Sequence, residues 1–597
     1  MEVELMPPAA ARPRRQKKAV GGNLLQVRQN LKENGHGLVQ FPSQNLSLAQ
    51  PIRPVTELPD LPPKYLTERL MAAYSNYCHR HFPILHWPTF QRECEQVYRS
   101  SSPTALGRAW FGVFIRVLAC GTLHVLDADL AREGRSYFAK SHATTEPWRN
   151  EFCVQDVQMA FLTSVFLFEN NLKAAGWLWH GQAARIAQQI GLHTEHGQWS
   201  PIEEESRRRL WYSVYCLDRS VVLLNSIDDR LPFADRSRLL ALELGKPLLI
   251  DDMDSDTVYP RLTEDDAVSP TNVLEQGSSM SLLVTINTVQ PFQSLSKALK
   301  SESISHAFLE AREVYFQSCA TMLPRALQLS VDEPLDPCTI APLIHLQNAR
   351  LLLWRPNLSP ASSPRSRLLA MDQCIVVARE TAQVLSRCLD PTARSPKGLS
   401  EQSRALAMSA STMLCMHIWR CLLLLLFRSE YSAAIILVQA ASAIGDQRRV
   451  NVSCGRNIEF FLRTIYSRIQ QGYPGHFDHD EELIAYASGD LQNHPDSSWI
   501  WPENTADQRL SSVADEMETL GTDDASNNAV QEHELQTTAT LDAEPDHWNG
   551  WDFIAEKVQY LMELSPQRRS TSSSASEAQP RLRSSSDTSR MTIANII

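Results

Sequence analysis

Two groups of residues contain the side chains that metal ions favour. They are His79, His81 and His86 in one segment, and His476, Asp478, His479 and Asp480 in another. A metal site requires several deprotonated donors that converge on one point. Residues two apart on a helix point to different sides, so the first two histidines do not converge. We interpret the first group as a helix end packed on the core and the second as a polar loop, and predict no metal ligands.

The twelve cysteines are scattered, and none of them forms a Cys-x2-Cys pair. Most of them lie beside apolar residues, as Cys216 does in the sequence Val-Tyr-Cys-Leu. This pattern is typical of reduced, buried thiols rather than a disulfide framework, and it indicates a reducing compartment.

Motifs of catalysis and nucleotide binding are absent from the sequence. It contains no Gly-x-Gly-x-x-Gly, P-loop, Gly-x-Ser-x-Gly or His-Glu-x-x-His motif. An all-α enzyme would need a pocket of converging acids or histidines, and no such set is evident. Trp177, Trp179 and His180 could form an aromatic box for a ligand, but core packing explains them better. We predict no catalytic residues and no enzyme activity.

Composition limits the classes of partner. The chain has 597 residues, 43% hydrophobic and 21% charged, with a formal net charge of -11. A strongly acidic protein is not expected to bind DNA over most of its surface, so any DNA contact must be local. No signal peptide is evident. The most apolar segments, Met413–Phe427 and Ala433–Gly445, are too short to cross a bilayer and predict buried helices rather than a membrane protein.

Apolar spacing predicts helices around these residues. Leu66, Leu70, Ala73 and Tyr77 share one helical face, and the segment Phe82–Phe90 then forms an apolar turn. The next clear helix runs from Lys173 to Ile190 and ends at Gly191, which suits a C-terminal cap. Its predicted apolar stripe is Ala175, Leu178, Ala183, Ile186, Ala187 and Ile190.

A third helix has a strong start signal, because Ser200 can cap it, Pro201 fits its first position and Glu203 completes a capping box. Glu203, Glu204 and Glu205 each precede an arginine by four residues, and each pair adds ~0.2–0.5 kcal/mol. The predicted buried side carries Leu210, Val214, Leu217 and Val221, with Trp211 and Tyr215 beside it. Further helices are predicted over Leu343–Trp354, Leu368–Leu389, Ser403–Phe427 and Cys454–Ile469.

The chain is therefore predicted to be all-α, with a helical domain over residues 61–470 between two disordered flanks. Residues 1–60 form a basic arm in which Arg12, Arg14, Arg15, Lys17 and Lys18 are either a nuclear-localisation patch or a solvated tail. Residues 471–597 are acidic and then Ser/Arg-rich. Trp548, Trp551 and Phe553 lie there as candidate activation residues, with a single docking helix as the alternative.

Several segments resemble the middle homology region of fungal zinc-cluster transcription factors. FPILHWPTF (Phe82–Phe90) is similar to the family's opening segment, and AGWLWHGQAARIAQQIGLH (Ala175–His193) to its central helix. EEESRRRLWYSVYCLDR (Glu203–Arg219) carries the most specific signature, and GKPLLIDDMDSDTVYP (Gly245–Pro260) resembles the segment after it. The matching residues are Phe82, Pro83, His86, Pro88, Phe90, Trp177, Gly181, Arg185, Gly191, Leu192, Arg208, Arg209, Trp211, Tyr215, Asp218, Arg219, Gly245 and Pro247.

The resemblance implies a nuclear transcription regulator, possessing an all-α domain that responds to a small-molecule effector and supports homo- or heterodimers. Control of specialised-metabolite genes and contact with coactivators are further expectations. The family's six-cysteine zinc cluster is absent, so no cofactor is expected in this chain. DNA would be reached through a missing or partner-supplied cluster, and the alternative function is a co-regulator or inhibitor that does not bind DNA itself. About twenty residues, 222–241, interrupt the family pattern and are interpreted as an insertion.

Overall fold

The computed structural model describes residues 60–100, 105–141, 144, 151–170, 172–195, 199–224, 249–261, 285–286, 304–358, 362–389, 396–471, 477–488 and 548–575. The described residues form α-helices, a π-helical turn at Tyr74–His79, short 3-10 turns and connecting segments without a strand, which confirms the all-α prediction. The basic arm, the predicted insertion apart from residues 222–224, Gly245, Pro247 and most of the acidic tail lie outside the described residues.

The first half of the fold contains seven helices. They are α1 (Lys64–Ala73), α2 (Trp87–Ser100), α3 (Arg108–Thr122), α4 (Ala128–Ser141), α5 (Val154–Glu169), α6 (Lys173–Gln189) and α7 (Pro201–Leu224). Helices α3 and α5 are buried over almost their whole length, and α6 packs closely on α5. Gly176 allows this close approach, because a Cβ atom there would lie 3.0 Å from the Phe168 ring.

The second half contains the remaining helices. They are α8 (His306–Thr321), α9 (Ala341–Trp354), α10 (Pro364–Cys388), α11 (Pro396–Ser409), α12 (Thr412–Phe427), α13 (Tyr431–Ile444), α14 (Arg449–Gln470), α15 (Glu481–Ser488) and α16 (Gly550–Ala575). Helix α12 is buried along its entire length, between α10, α13 and α14. None of the described helices could by itself span a membrane in both length and apolar character.

A buried polar junction joins the two halves. The Glu169 carboxylate at the end of α5 accepts hydrogen bonds from the Thr412 backbone N–H at 2.9 Å and from its hydroxyl at 3.1 Å. His124 donates its Nδ1–H to the Met408 carbonyl oxygen at 2.8 Å. Arg448 lies 3.6 Å from Glu169 and offsets part of the cost of burying that carboxylate.

Three details of the predicted helices were wrong. The single helix expected over Ser403–Phe427 is two helices bent by 106°, because the Ser411 side chain accepts a hydrogen bond from the Leu414 N–H and starts a new helix. Leu178 was placed on the apolar stripe of α6 but is 66% exposed. The buried face instead follows the close contact with α5 through Gly176, His180 and Ala183.

The third difference concerns the chain beyond residue 470. Helix α15 buries Leu483 and Ile484, and α16 buries Trp551 and Ile554 against the helical body. Both segments therefore contribute to the folded core, which the predicted division at residue 470 did not anticipate.

Candidate functional site

Helix α7 begins as the sequence predicted, and some of its charged side chains are buried. The Ser200 hydroxyl accepts a hydrogen bond from the Glu203 N–H at 3.3 Å. All three Glu–Arg pairs form, at 3.2 Å for Glu203–Arg207, 2.5 Å for Glu204–Arg208 and 2.8 Å for Glu205–Arg209. The pairs differ in depth, since Glu205 and Arg209 are buried whereas Glu203 is exposed.

The two buried arginines connect α7 to other segments. Arg208 forms a second ion pair with Glu195, which follows α6. Burial raises the pKa of Glu195, but hydrogen bonds from Arg208 and the Val258 N–H outweigh it, and the pKa lies below its ordinary value. Glu205 also accepts a hydrogen bond from the Arg261 N–H at 3.0 Å. These arginines are committed to ion pairs within the fold, which supports a structural role rather than DNA contact.

Asp218 and Arg219 form the centre of the site at the other end of α7. Arg219 is fully buried and donates to the Asp218 carboxylate at 2.5 Å, the Ile250 carbonyl oxygen at 2.9 Å and the Asp252 carboxylate at 3.1 Å. Asp218 in turn accepts hydrogen bonds from the Leu249 and Ile250 N–H groups at 3.2 and 3.3 Å. The pair therefore bonds backbone N–H groups and a backbone carbonyl oxygen of the segment 249–261.

The electrostatics of this pair follow from its partners. Burial raises the pKa of Asp218, but the neighbouring His180 imidazole, the Arg219 guanidinium and the Leu249 N–H outweigh burial and hold the pKa below its ordinary value. Burial lowers the pKa of Arg219, but Asp218 and Asp252 raise it above its usual range. Both groups are therefore charged at neutral pH, and removal of one would leave the other buried without its partner.

His180 of α6 completes the buried cluster. Its side chain is fully buried, and its Nε2 atom lies 3.6 Å from the Asp218 carboxylate. That separation exceeds an ordinary hydrogen bond, so the geometry supports an electrostatic contact rather than a firm bond. A ligand box of His180, Trp177 and Trp179 was the less favoured interpretation of the sequence. Both tryptophans are partly buried and pack on the core, as the favoured interpretation predicted.

Aromatic side chains of α7 hold the same segment from the side. Trp211 donates to the Ser255 hydroxyl at 3.1 Å, and Tyr215 donates to the Asp252 carboxylate at 2.8 Å. The Arg219 guanidinium lies over the Tyr215 ring at 4.5 Å. Helix α7 is therefore fastened to residues 249–261 by side chains along its length, among them Trp211, Tyr215, Asp218 and Arg219.

The opening signature occupies a separate place at the start of α2. His86 Nδ1 lies 2.7 Å from the Thr89 hydroxyl, and Pro88 fits the first turn of α2, where no N–H is needed. Phe82 packs edge-on against Phe161 of α5 at 5.3 Å, and Phe90 is buried. These residues fix the turn between α1 and α2.

The remaining signature residues surround the end of α6. Gly191 has a φ of 74°, a left-handed conformation that favours glycine, and Leu192 beside it is buried. Gly181 has only Leu249 near its Cβ position, at 3.8 Å. Arg185 is exposed and bonds Gln188 of the same helix at 3.0 Å. Gly191 therefore caps α6 as predicted. A regulatory role for the signature residues stays a prediction.

A surface cleft of about 420 Å³ lies between the end of α6 and the start of α7. Trp199, Glu204 and Arg207 line one side of the cleft, and Thr257 lines the other. The Arg207 guanidinium lies 3.7 Å from the centre of the Trp199 ring. The cleft thus combines an aromatic surface with charges of both signs, next to the clamped segment.

The side chains present do not fit a two-zinc cluster. The described residues contain no group of three histidine, cysteine or acidic side chains able to hold a metal ion. Ten of the twelve cysteines are buried as free thiols, and burial raises the pKa of Cys415 and Cys421 to about 12. A zinc ligand must be a thiolate, so these thiols are core residues.

Two polar clusters were not predicted. One is the junction around Glu169. The other centres on Arg350 of α9, which bonds Glu313 of α8 at 2.6 Å and also pairs with Glu380 of α10. The residues of each cluster lie far apart in the sequence. The one sequence feature that could have indicated these clusters is an Arg or Glu residue on an otherwise apolar helical face.

Part of this region matches a known family of domains. Residues 71–227 match the fungal specific transcription factor domain, a range that begins in α1 and includes the α7 signature. The chain is 23% identical over 360 residues to a Zn(2)-C6 fungal-type transcription factor of Macrophomina phaseolina, covering 54% of this chain and 45% of that protein. It is 22% identical over 316 residues to the Activator of stress genes 1 of Saccharomyces cerevisiae, covering 50% of this chain and 32% of that protein.

A negative regulator of pleiotropic drug resistance from Candida glabrata is 25% identical over 231 residues, covering 35% of this chain and 21% of that protein. The chain therefore spans less than half the length of each of these three relatives. No solved structure matches. The proteins that this chain resembles are transcription factors and regulators rather than enzymes.

Proposed function

Because residues 71–227 carry the fungal specific transcription factor domain, we propose that this chain is a transcription regulator that acts in the nucleus. The observation that carries the proposal is the family match over the same helices that build the Asp218–Arg219 cluster. Ion pairs and hydrogen bonds of that cluster tie α7 to residues 249–261, as expected of a structural role in the domain.

We propose that DNA is reached through a zinc cluster supplied outside this sequence or by a partner chain. The sequence contains no Cys-x2-Cys pair, and Arg208 and Arg209 are engaged within the fold. A co-regulator or inhibitor that does not bind DNA itself remains the second candidate, on the same observation. A homodimer or a heterodimer would bring the DNA reader to this chain in either case.

The cleft beside Trp199 is the proposed place for a small-molecule effector. An effector with a flat ring and a polar group would match the aromatic surface and the charges of Glu204 and Arg207. Binding there would act directly on the junction of α6, α7 and residues 249–261. Control of specialised-metabolite genes is proposed as the process.

A tethering experiment tests the regulatory function. The full chain is fused to an unrelated DNA-binding domain and directed to a reporter promoter. A change in reporter transcription of at least about fivefold, relative to the DNA-binding domain alone, supports the proposal. An unchanged reporter, with the fusion protein present in the nucleus, contradicts it.

Two variants extend this experiment. Replacement of Arg12, Arg14, Arg15, Lys17 and Lys18 by alanine is expected to reduce nuclear accumulation of a fluorescently tagged chain. Removal of residues 503–597 is expected to reduce activation if the tail contacts coactivators. Unchanged localisation or unchanged activation would reject the corresponding role of each flank.

A further inference from the structure

The C-terminal helix α16 lies in a groove formed by α13 and α14. Trp551, Ile554, Val558 and Leu561 are buried in this groove at three- and four-residue spacing. Such spacing is that of an amphipathic helix laid in a complementary groove. The candidate activation residue Trp551 is therefore buried in the docked helix, which agrees with the alternative interpretation of a single docking helix.

Gly455 of α14 provides a notch for the first anchor of the helix. A Cβ atom at Gly455 would lie 2.1 Å from Trp548 Cη2, so only glycine leaves room for the indole. Trp548 also packs edge-on against Trp551, with 5.8 Å between the ring centroids. Glycine destabilises a helix interior relative to alanine, and at Gly455 this cost is offset by the room it leaves for a tryptophan.

Acidic side chains line the entrance of the groove. Trp548 donates its indole N–H to Asp446 at 3.2 Å, and Asn549 donates to Glu459 at 2.8 Å. The two carboxylates therefore match a helix whose first residues, before its first turn, bring N–H donors to them. Farther along, Tyr466 donates its hydroxyl proton to the Lys557 carbonyl oxygen at 2.8 Å.

The docked helix buries one apolar face against the body. Gln559 and Tyr560 lie away from that face and are exposed, although the Tyr560 ring also stacks on Tyr466 of α14. The Trp551 indole N–H is buried without a hydrogen-bond acceptor, which weakens the docking of the helix.

Residues 489–547 connect α15 to α16 in the sequence, so the helix and its groove belong to one chain. A ligand joined covalently to its site has a higher effective concentration there than the same helix free in solution. A peptide from solution must therefore compete with the resident helix, and weakening that helix is expected to open the groove to the peptide.

We propose that the α13/α14 groove is an exchangeable binding site for a tryptophan-anchored amphipathic helix, and that the chain's own C-terminal helix is its resident ligand. The kind of helix it accepts carries Trp at its first anchor, N–H donors at its start and apolar residues three and four positions apart. This inference does not depend on the proposed function, because it concerns binding of a helix and not transcription.

A labelled peptide of residues 548–564 tests the proposal on the full chain. The Trp551→Ala chain, whose resident helix is weakened, is expected to bind the peptide at least about tenfold more tightly than the wild-type chain. Gln559→Ala, an exposed position of the same helix, is the matched control and is expected to behave like wild type. Adding Gly455→Ala to Trp551→Ala fills the notch and is expected to weaken peptide binding at least tenfold.

Two results would overturn the proposal. Equal peptide binding by the wild-type and Trp551→Ala chains, including no binding by either, shows that the groove does not exchange its helix. Global unfolding of the Trp551→Ala chain and of a second variant at the half-buried anchor, Trp548→Ala, shows that α16 is a permanent part of the core.

Discussion

Arg219 Nη2 lies 3.1 Å from a carboxylate oxygen of Asp252, and this contact joins α7 to a segment 33 residues farther along the chain. The same guanidinium binds Asp218 and the Ile250 carbonyl oxygen, so one side chain satisfies three acceptors in a buried environment. The most specific part of the family signature is therefore a structural clamp between α7 and residues 249–261.

Replacing Arg219 by lysine is expected to lower the free energy of unfolding by about 1.5–3 kcal/mol, because one ammonium group cannot reproduce the planar fork of hydrogen bonds. Arg207→Lys is the matched control. Its pair with the exposed Glu203 is worth less than about 1 kcal/mol. Denaturant titration of both full-length variants measures the difference, and equal stabilities would refute the clamp.

The Glu313–Arg350 pair gives a second prediction. Glu313→Ala removes the partner of Arg350 and the acceptor of the Trp354 indole N–H, at 2.6 and 3.2 Å. A buried guanidinium left without this partner is expected to cost about 3–5 kcal/mol. Glu310→Ala on the same helix is the control, since Glu310 is exposed and pairs only with His306. Thermal melting that falls equally in both variants would contradict the assignment.

Three buried histidines predict destabilisation by acid. Burial, with smaller contributions from nearby charges, lowers the pKa of His124, His345 and His417 to about 3. The unfolded chain binds protons at these residues below pH 6.5, whereas the folded chain stays neutral until about pH 3. Stability is therefore retained above pH 6.5 and lost as the pH falls through the interval between these values.

The size of this effect follows from the same reasoning. Each histidine costs up to about 1.4 kcal/mol for every pH unit below its unfolded pKa, so the three together cost about 4 kcal/mol at pH 5.5. Denaturant titrations at pH 8.0, 6.5 and 5.5 measure the loss. His417→Gln is expected to reduce the slope by about a third. A stability that does not change over this range would show that these imidazoles are not held neutral by burial.

The helix content and the resemblance to the family were predictable from the sequence. Which of the charged side chains would be buried was not predictable. The capping of α7 by Ser200, the Glu–Arg pairs and the cap at Gly191 follow from local rules of spacing and backbone conformation. The burial of Glu205 and Arg209 depends on Arg261, which is 56 residues from Glu205. Such distant partners leave no periodic signal in the sequence.

The docking of the C-terminal helix illustrates the same limit. A single docking helix was an alternative interpretation of Trp548, Trp551 and Phe553, but the sequence did not indicate which surface would cover it. Gly455 was visible only as a glycine inside a helical pattern. Its function becomes clear when the Trp548 indole is seen to occupy the position of its missing side chain.

Chromatin occupancy tests the central claim most directly. The full chain, tagged and expressed at its native level, is mapped on chromatin, and transcripts are measured with and without the protein. The account predicts enrichment at a defined set of promoters whose transcripts change when the chain is removed, whether it binds DNA itself or through a partner. Occupancy no greater than that of an untagged control, with no change in transcripts, would contradict a role in transcription.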